Sequence, residues 1–227
     1  MNTNIETRSF SLKQINTFNY VLNIKGEYKY QIYQSIVETN LLKHLFYNDE
    51  TNNIHLTLET AISLKNNYEL SHNQCIKMIY TVTKQIEYLE QNGLVFYGFD
   101  LDDILIVNEN IFIVLGTRYL LPIEPIDNDN KNMYIKMYNI PNTPYFSNPE
   151  LLQLRKLPSY LNSKIGYYSL GVLIVFCLLK QYLLVGNEIK NKKEIEDILS
   201  PINDTKMYSF LKRCLNVDPE KRLLLFM

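Results

Sequence analysis

The sequence predicts an α+β fold in which a small strand-and-helix part leads into a mainly helical part. Three observations carry this. Short alternating segments, Tyr20–Lys25 and Ile54–Leu58, lie before residue 60. A long apolar stripe of helical period runs between Ser71 and Asn92. Beyond Asn148 the chain reads as successive helical pieces. The boundary is expected to put residues 1–59 in the small part and 60–227 in the helical one, within a single domain of 227 residues.

Taken in order, residues 1–17 are polar and without period, which suggests a short tail or an edge strand. Tyr20–Lys25 alternates weakly and ends at Gly26, as a strand would. Ile32, Ile36, Leu41, Leu42 and Leu45 approach helical spacing, so a helix is expected within Tyr28–Tyr47. Asn48-Asp49-Glu50-Thr51-Asn52-Asn53 is a turn cluster, and Ile54–Leu58 alternates as a half-buried strand. Between Glu38 and Glu59 there is room for about one strand. Ser71 is a good N-cap for a long helix with the stripe Cys75, Ile76, Ile79, Val82, Ile86 and Leu89, stopped by Gly93. Ile104–Val107 and Ile111–Leu115 read as a hairpin closed by Asn108-Glu109-Asn110. Residues 116–148 lack a period and hold four prolines, which predicts a long loop. Helices follow near Pro149–Leu154, Tyr167–Lys180, Glu194–Leu199 and Thr205–Leu215.

Composition narrows the function classes. Lys+Arg at 23 against Asp+Glu at 24 gives a formal charge of -1, so no electrostatic case arises for nucleic acid or an anionic membrane. Cys75, Cys177 and Cys214 are widely spaced in apolar helical contexts and read as buried free thiols, which suits a reducing, cytoplasmic or other intracellular setting. The N-terminal residues have no basic start and no apolar run, so no signal peptide is expected. The longest apolar run, Leu170–Leu179, is about half of the roughly 20 residues a membrane span needs. The abundance of Asn, Ile, Lys and Tyr suits an A/T-rich genome such as that of a large DNA virus or an A/T-rich microbe. His44, His55 and His72 show no metal-binding spacing.

Several local motifs fall in a telling order. Gln85-Ile86-Glu87-Tyr88-Leu89-Glu90-Gln91-Asn92-Gly93-Leu94 is followed by Ile104-Leu105-Ile106, Leu115-Gly116, Asn148-Pro149-Glu150, Tyr168-Ser169-Leu170-Gly171-Val172 and Cys214-Leu215-Asn216-Val217-Asp218-Pro219-Glu220-Lys221-Arg222. This series resembles the eukaryotic-type protein kinase fold: the helix before the catalytic loop, the strand after it, the Phe-Gly of Asp-Phe-Gly, Ala-Pro-Glu, the buried Trp-Ser-Leu-Gly-Val helix and the closing Asp-Pro-x-x-Arg stretch. The resemblance implies a bilobal fold with a small, abbreviated N-lobe (a short sheet plus one helix) and a mainly helical C-lobe. It also implies that Glu150 and Arg222 form a buried ion pair, and that Ser169 and Gly171 keep structural roles in the central helix.

The same register identifies what is missing. Phe96-Tyr97-Gly98 stands where His-Arg-Asp would be, so Gly98 takes the position of the catalytic Asp. Asp103 takes the Asn position and Val114 the metal-binding Asp position. Phosphoryl transfer needs a base-like Asp, carboxylate and amide oxygens on Mg²⁺, a Lys on the phosphates and a Gly-rich loop. Gly98 has no side chain, and Val114 offers no oxygen to a hard cation. Asp103 is the remnant that could hold a metal, alone. No Gly precedes Gly26, so no Gly-rich loop is present before the strand. Lys25 resembles the strand Lys and Glu38 the helix Glu that pairs with it in ATP binding; the alternative is two surface charges. Thr143, Tyr145 and Ser147 stand where kinases are phosphorylated, and a generic polar loop is the simpler reading.

These features lead to the expectation of a catalytically inactive kinase-like domain, a pseudokinase, acting as a binding, scaffold or regulatory module toward a protein partner. No cofactor is expected on that reading. The alternative is a divergent serine/threonine kinase or other ATP-dependent phosphotransferase, which would use ATP and Mg²⁺ with Asp100, Asp102 and Asp103. Bulky Phe96, Tyr97, Phe99 and Leu115 are expected to fill the space that a nucleotide would otherwise need.

Overall fold

The computed structural model describes residues 4–127, 130–135, 146–185 and 188–226. In chain order the elements are β1 (Asn4–Glu6), β2 (Phe10–Gln14), β3 (Asn19–Ile24), α1 (Lys29–Glu38), β4 (Leu45–Asn48), β5 (Asn53–Thr57), β6 (Ala61–Ser63), α2 (His72–Gln91), β7 (Leu94–Phe96), β8 (Ile104–Val107) and β9 (Ile111–Val114). There follow β10 (Leu120–Asp127), β11 (Asn130–Ile135), α3 (Pro149–Leu152), β12 (Ser159–Asn162), α4 (Ile165–Leu179), β13 (Leu184–Val185), β14 (Glu188–Ile189), α5 (Lys192–Leu199) and α6 (Lys206–Cys214). They form two compact units: residues 1–92 with 101–120, and residues 93–100 with 121–227. Within the first unit α2 packs on α1 and against β9.

The first unit is built on a five-stranded antiparallel sheet in the order β1-β2-β3-β5-β4. Its register sets Phe10 beside Ile24, Leu12 beside Leu22, Leu22 beside Ile54 and Tyr20 beside Leu56. All of these side chains are buried, so one face of the sheet is apolar throughout. The polar start of the chain therefore supplies two strands, and two more lie between Glu38 and Glu59 where one was expected. The reason is local. Helix α1 stops at Glu38, Asn40 adopts a left-handed conformation (φ 52°), and Leu45 to Asn48 is released to pair with β5. The helix expected to reach Tyr47 is thus nine residues shorter at its C-terminal end.

Helix α2 follows its sequence signals closely. The Ser71 hydroxyl accepts from the Gln74 N–H at 3.3 Å, and the Gln74 side chain accepts from the Ser71 N–H at 3.0 Å, a reciprocal cap. Gly93 beyond it takes a left-handed φ of 76°. The β8–β9 hairpin turns through Asn108 (φ 47°) and Glu109 (φ 64°), the mirror-image turn geometry that matches strand twist. Strand β6 adds to it, giving a three-stranded sheet β6-β8-β9.

The second unit holds a four-stranded sheet, β12-β11-β10-β7, and helices α3 to α6. The segment 116–148, expected to be a loop, is therefore partly a hairpin. Strand β10 pairs with β11 and β11 with β12. Pro122 and Pro125 disguise its alternation, and a register shift between Pro125 and Asp127 breaks the period. Helix α4 is buried along almost its whole length, which is why its sequence is apolar all round. Among the described residues no helix is long and apolar enough to cross a membrane.

Candidate functional site

The residues expected to handle a nucleotide fall mostly in the first unit. Strands β1 and β2 are joined by only Thr7, Arg8 and Ser9. The Thr7 side-chain oxygen accepts from the N–H groups of Ser9 (3.1 Å) and Phe10 (3.0 Å), while the Thr7 N–H donates to the Phe10 carbonyl at 2.9 Å. A Gly-rich loop binds phosphate by presenting free backbone N–H groups. Here a threonine closes a tight turn and takes two such donors for itself, so the turn needs no glycine.

The Ser9 hydroxyl donates to the Asp103 carboxylate, whose side chain is almost wholly buried. Arg118 reaches the same carboxylate at 3.3 Å. The Asp103 carbonyl accepts from the Leu115 N–H at 2.7 Å. Gly116 lies directly against this group: a Cβ there would sit 2.4 Å from the Asp103 carboxyl carbon. Asp103 is thus a buried carboxylate bonded to Ser9 and Arg118, with Gly116 close against it.

Lys25 does not meet Glu38. Its ammonium donates to the Glu6 carboxylate and to the Thr7 carbonyl, the latter at 2.6 Å. Its own carbonyl accepts from the Thr117 hydroxyl at 2.8 Å. Glu38 is exposed at the end of α1. It stands near Tyr88, whose hydroxyl pKa is raised first by burial and then by the Glu38 carboxylate.

Val114 is buried at the end of β9, and its backbone is clamped by Gln85 of α2. The Gln85 carbonyl oxygen accepts from the Val114 N–H at 2.8 Å, and its amide donates to the Val114 carbonyl at 3.3 Å and to Ser35 of α1 at 3.0 Å. Gln85 is itself fully buried and thus satisfied. Asp102 pairs with Lys65 at 3.1 Å. Asp100 belongs to the second unit. Among the described residues no group of three His, Cys, Asp or Glu side chains is placed to hold a metal ion. On the register of the kinase resemblance these residues fit Mg·ATP poorly: the β1–β2 turn N–H groups and the Lys25 ammonium are already bonded, Val114 offers no oxygen, and Asp103 is tied to Ser9 and Arg118.

In the second unit the residues around Gly98 are held as a scaffold. The Asn148 amide donates to the Tyr97 carbonyl at 2.8 Å and to the Ser169 hydroxyl at 3.0 Å, while its oxygen caps α3 at Leu151. Gly166 of α4 approaches strand β7 so closely that a Cβ would lie 2.1 Å from the Phe96 carbonyl oxygen. Gly171 packs against α6, with a virtual Cβ at 3.2 Å from Cys214 and 3.0 Å from Leu215. Phe96, Tyr97, Phe99 and Leu115 are all buried. Ser147 is buried with no hydrogen-bond partner for its hydroxyl; Thr143 and Tyr145 lie outside the described residues.

Glu150 and Arg222 meet across 72 positions, Nη2 to Oε1 at 2.5 Å. The Arg222 guanidinium is 0% exposed. It also donates to the carbonyls of Asn216 (2.8 Å), Val217 (3.2 Å) and Lys164 (3.4 Å), and lies 5.1 Å from the ring centroid of Tyr168. Burial raises the pKa of the Tyr168 hydroxyl, with Arg222 opposing and Glu150 assisting. Ser9, Gln85, Arg118 and Asn148 carry roles that sequence reasoning did not assign.

No family model and no curated protein matches the sequence. The fold, however, is similar to that of the Cydia pomonella granulovirus kinase PK-1. The TM-score is 0.58 at 14% sequence identity, covering 99% of this chain and 91% of that one. At this identity the likeness is one of fold: the chain has a mixed α and β, protein-kinase-like architecture with a small sheet at its N-terminal end.

Proposed function

We propose that this protein is a pseudokinase: a kinase-like domain that transfers no phosphoryl group and works as a binding, scaffold or regulatory module for a protein partner. The observation that carries the reading is the state of Asp103. It is the one acidic residue left at a kinase metal position, and its buried carboxylate is already bonded to Ser9 and Arg118. The positions of the catalytic base and the second metal ligand are Gly98 and Val114, which hold neither protons nor metals. The Thr7 turn and the Lys25–Glu6 contact support the same reading, since they engage groups that a triphosphate would need. Helix α4, the Asn148–Ser169–Tyr97 network and the Glu150–Arg222 pair supply the rigid platform such a module requires.

The test is thermal unfolding of the full chain with ATP, with and without Mg²⁺, beside an assay for phosphate transfer to a generic protein substrate. A nucleotide at a hundredfold excess over its Kd would add about 2.7 kcal/mol of stability. The expected results are no shift and no transfer. Mg²⁺-dependent transfer abolished by Asp103→Ala would establish instead the divergent phosphotransferase built on Asp100, Asp102 and Asp103. A shift by ATP alone, lost in Lys25→Ala and without transfer, would mean nucleotide binding without catalysis.

A further inference from the structure

The second unit has a half-open cavity of about 710 Å³ that none of Lys25, Asp103 or Val114 lines. This lies within the range of about 300–1,000 Å³ found for small-molecule sites. Its apolar surface comes from Leu152 after α3, Tyr168 of α4, Ile195 and Leu199 of α5, and Leu215 after α6. Tyr168, Leu199 and Leu215 are buried core residues, so the floor is fixed by packing rather than by mobile surface side chains.

The charges around this floor are uneven. Three lysines line it, Lys190, Lys192 and Lys212, against two acids, Glu188 and Glu196. Lys192 and Glu196 lie one turn apart on α5 and face each other at 3.9 Å. The Asn191 cap of α5 is closed by Glu194, so the helix end makes no demand of its own. Lys212 sits over the ring of Tyr208 at 5.7 Å and, among the described residues, forms no ion pair. Among the described residues Lys190 likewise forms no ion pair. Two cations thus remain against the single carboxylate of Glu188, beside an apolar and aromatic cavity.

We propose that this cavity is a binding site for a small amphipathic anion, with the apolar body seated on Leu152, Tyr168, Ile195, Leu199 and Leu215 and the anionic group facing Lys190 and Lys212. The site is independent of the reading of the kinase-like corner, since it uses none of its residues. An apolar body without charge gains only the burial contribution, whereas the anion also gains two positive neighbours at the rim.

The probe is decanoate, with 1-anilinonaphthalene-8-sulfonate as fluorescent reporter and decanol as the uncharged control. The full chain is expected to bind the reporter saturably at one site per chain and to release it to decanoate. Ile195→Gln, on a half-exposed face of α5, removes apolar floor without changing the rim charge and should abolish this while leaving the circular dichroism and melting curve unchanged. The Lys190→Glu and Lys212→Glu double variant should weaken decanoate by about tenfold and leave decanol unaffected. Non-saturable reporter binding overturns the proposal. So does binding that survives Ile195→Gln, or decanoate affinity unchanged by the double reversal.

Discussion

Removing Glu150 should be among the most damaging single changes in the second unit. The Glu150→Ala variant leaves the guanidinium of Arg222, which has no solvent exposure, without its counter-charge. Breaking a buried ion pair from one side costs about 3–5 kcal/mol. Three backbone carbonyls and the Tyr168 ring still face Arg222, and they place the expected loss at the lower end, about 3 kcal/mol. That is a large share of the roughly 5–15 kcal/mol that holds a domain folded. The chain has no Trp, so urea unfolding is best followed by far-UV circular dichroism. At a urea slope of about 2 kcal/mol per molar, the midpoint should fall by about 1.5 M. Arg222→Met combined with Glu150→Ala should cost less than the sum of the two single changes, because the double variant strands no charge. A Glu150→Ala loss within about 0.5 kcal/mol, the scale of ordinary surface substitutions, would refute the buried-pair reasoning.

Gly166→Ala should destabilise by about 2–3 kcal/mol in the same urea assay, since its Cβ meets a backbone oxygen at 2.1 Å. Gly93→Ala, which meets nothing within 4 Å, should cost only its left-handed backbone strain, about 1 kcal/mol; equal losses at the two sites would contradict this. The three cysteines are fully buried, and burial pushes the Cys75 thiol up to about 12. A disulfide exchange reagent at pH 8 should therefore find no fast-reacting thiol in the folded protein and three in denaturant; a thiol titrating at once in the native state would contradict the packing. The Asp218 carboxyl is held below its ordinary value by a hydrogen bond from Lys221 first and the Glu220 N–H second. A lowered folded pKa means stability that is present above the ordinary Asp value of 3.8 and lost as pH falls through the folded one. Asp218→Asn should therefore flatten the acid limb of a melting-temperature profile below about pH 4, and an unchanged limb would count against the bond.

What was legible in the sequence was what repeats locally. Helix α2 has a cap, a stripe and a stop within 23 residues, and the β8–β9 hairpin carries its turn residues between two apolar runs. Helix α4 and the Asp-Pro-x-x-Arg stretch sit in recognisable motifs. The β10–β11 hairpin was hidden because two prolines and a register shift interrupt its alternation. The extra strand β4 was hidden because Leu41, Leu42 and Leu45 continue a helical spacing that Asn40 physically ends. One missed group did leave a trace: Gln85 lies among Val82, Ile86 and Leu89, so a polar side chain inside a core stripe announced a buried hydrogen-bonding task. Ser9 left none. Its partner Asp103 is 94 positions away, and no periodicity links them.

The proposal of a pseudokinase follows from a constraint that acts on any buried carboxylate. Asp103 is 1% exposed, and an ionised group in that position is costly unless it is paired and hydrogen-bonded. In a phosphotransferase the pairing would come from a metal and its nucleotide. Here it comes from within the chain: Arg118 supplies charge, Ser9 supplies a proton donor, and Gly116 lets the backbone come close enough to enclose the group. The turn that brings Ser9 into place is itself closed by Thr7, which takes the N–H groups of Ser9 and Phe10. A phosphate entering this corner would have to replace several satisfied bonds at once, and a metal would find one carboxylate and an aliphatic Val114 in place of two oxygen ligands. Each piece is locally ordinary. Together they make Asp103 a support between the β1–β2 turn and the β8–β9 hairpin, so that the residues proposed to close this corner to nucleotide also tie the first unit together.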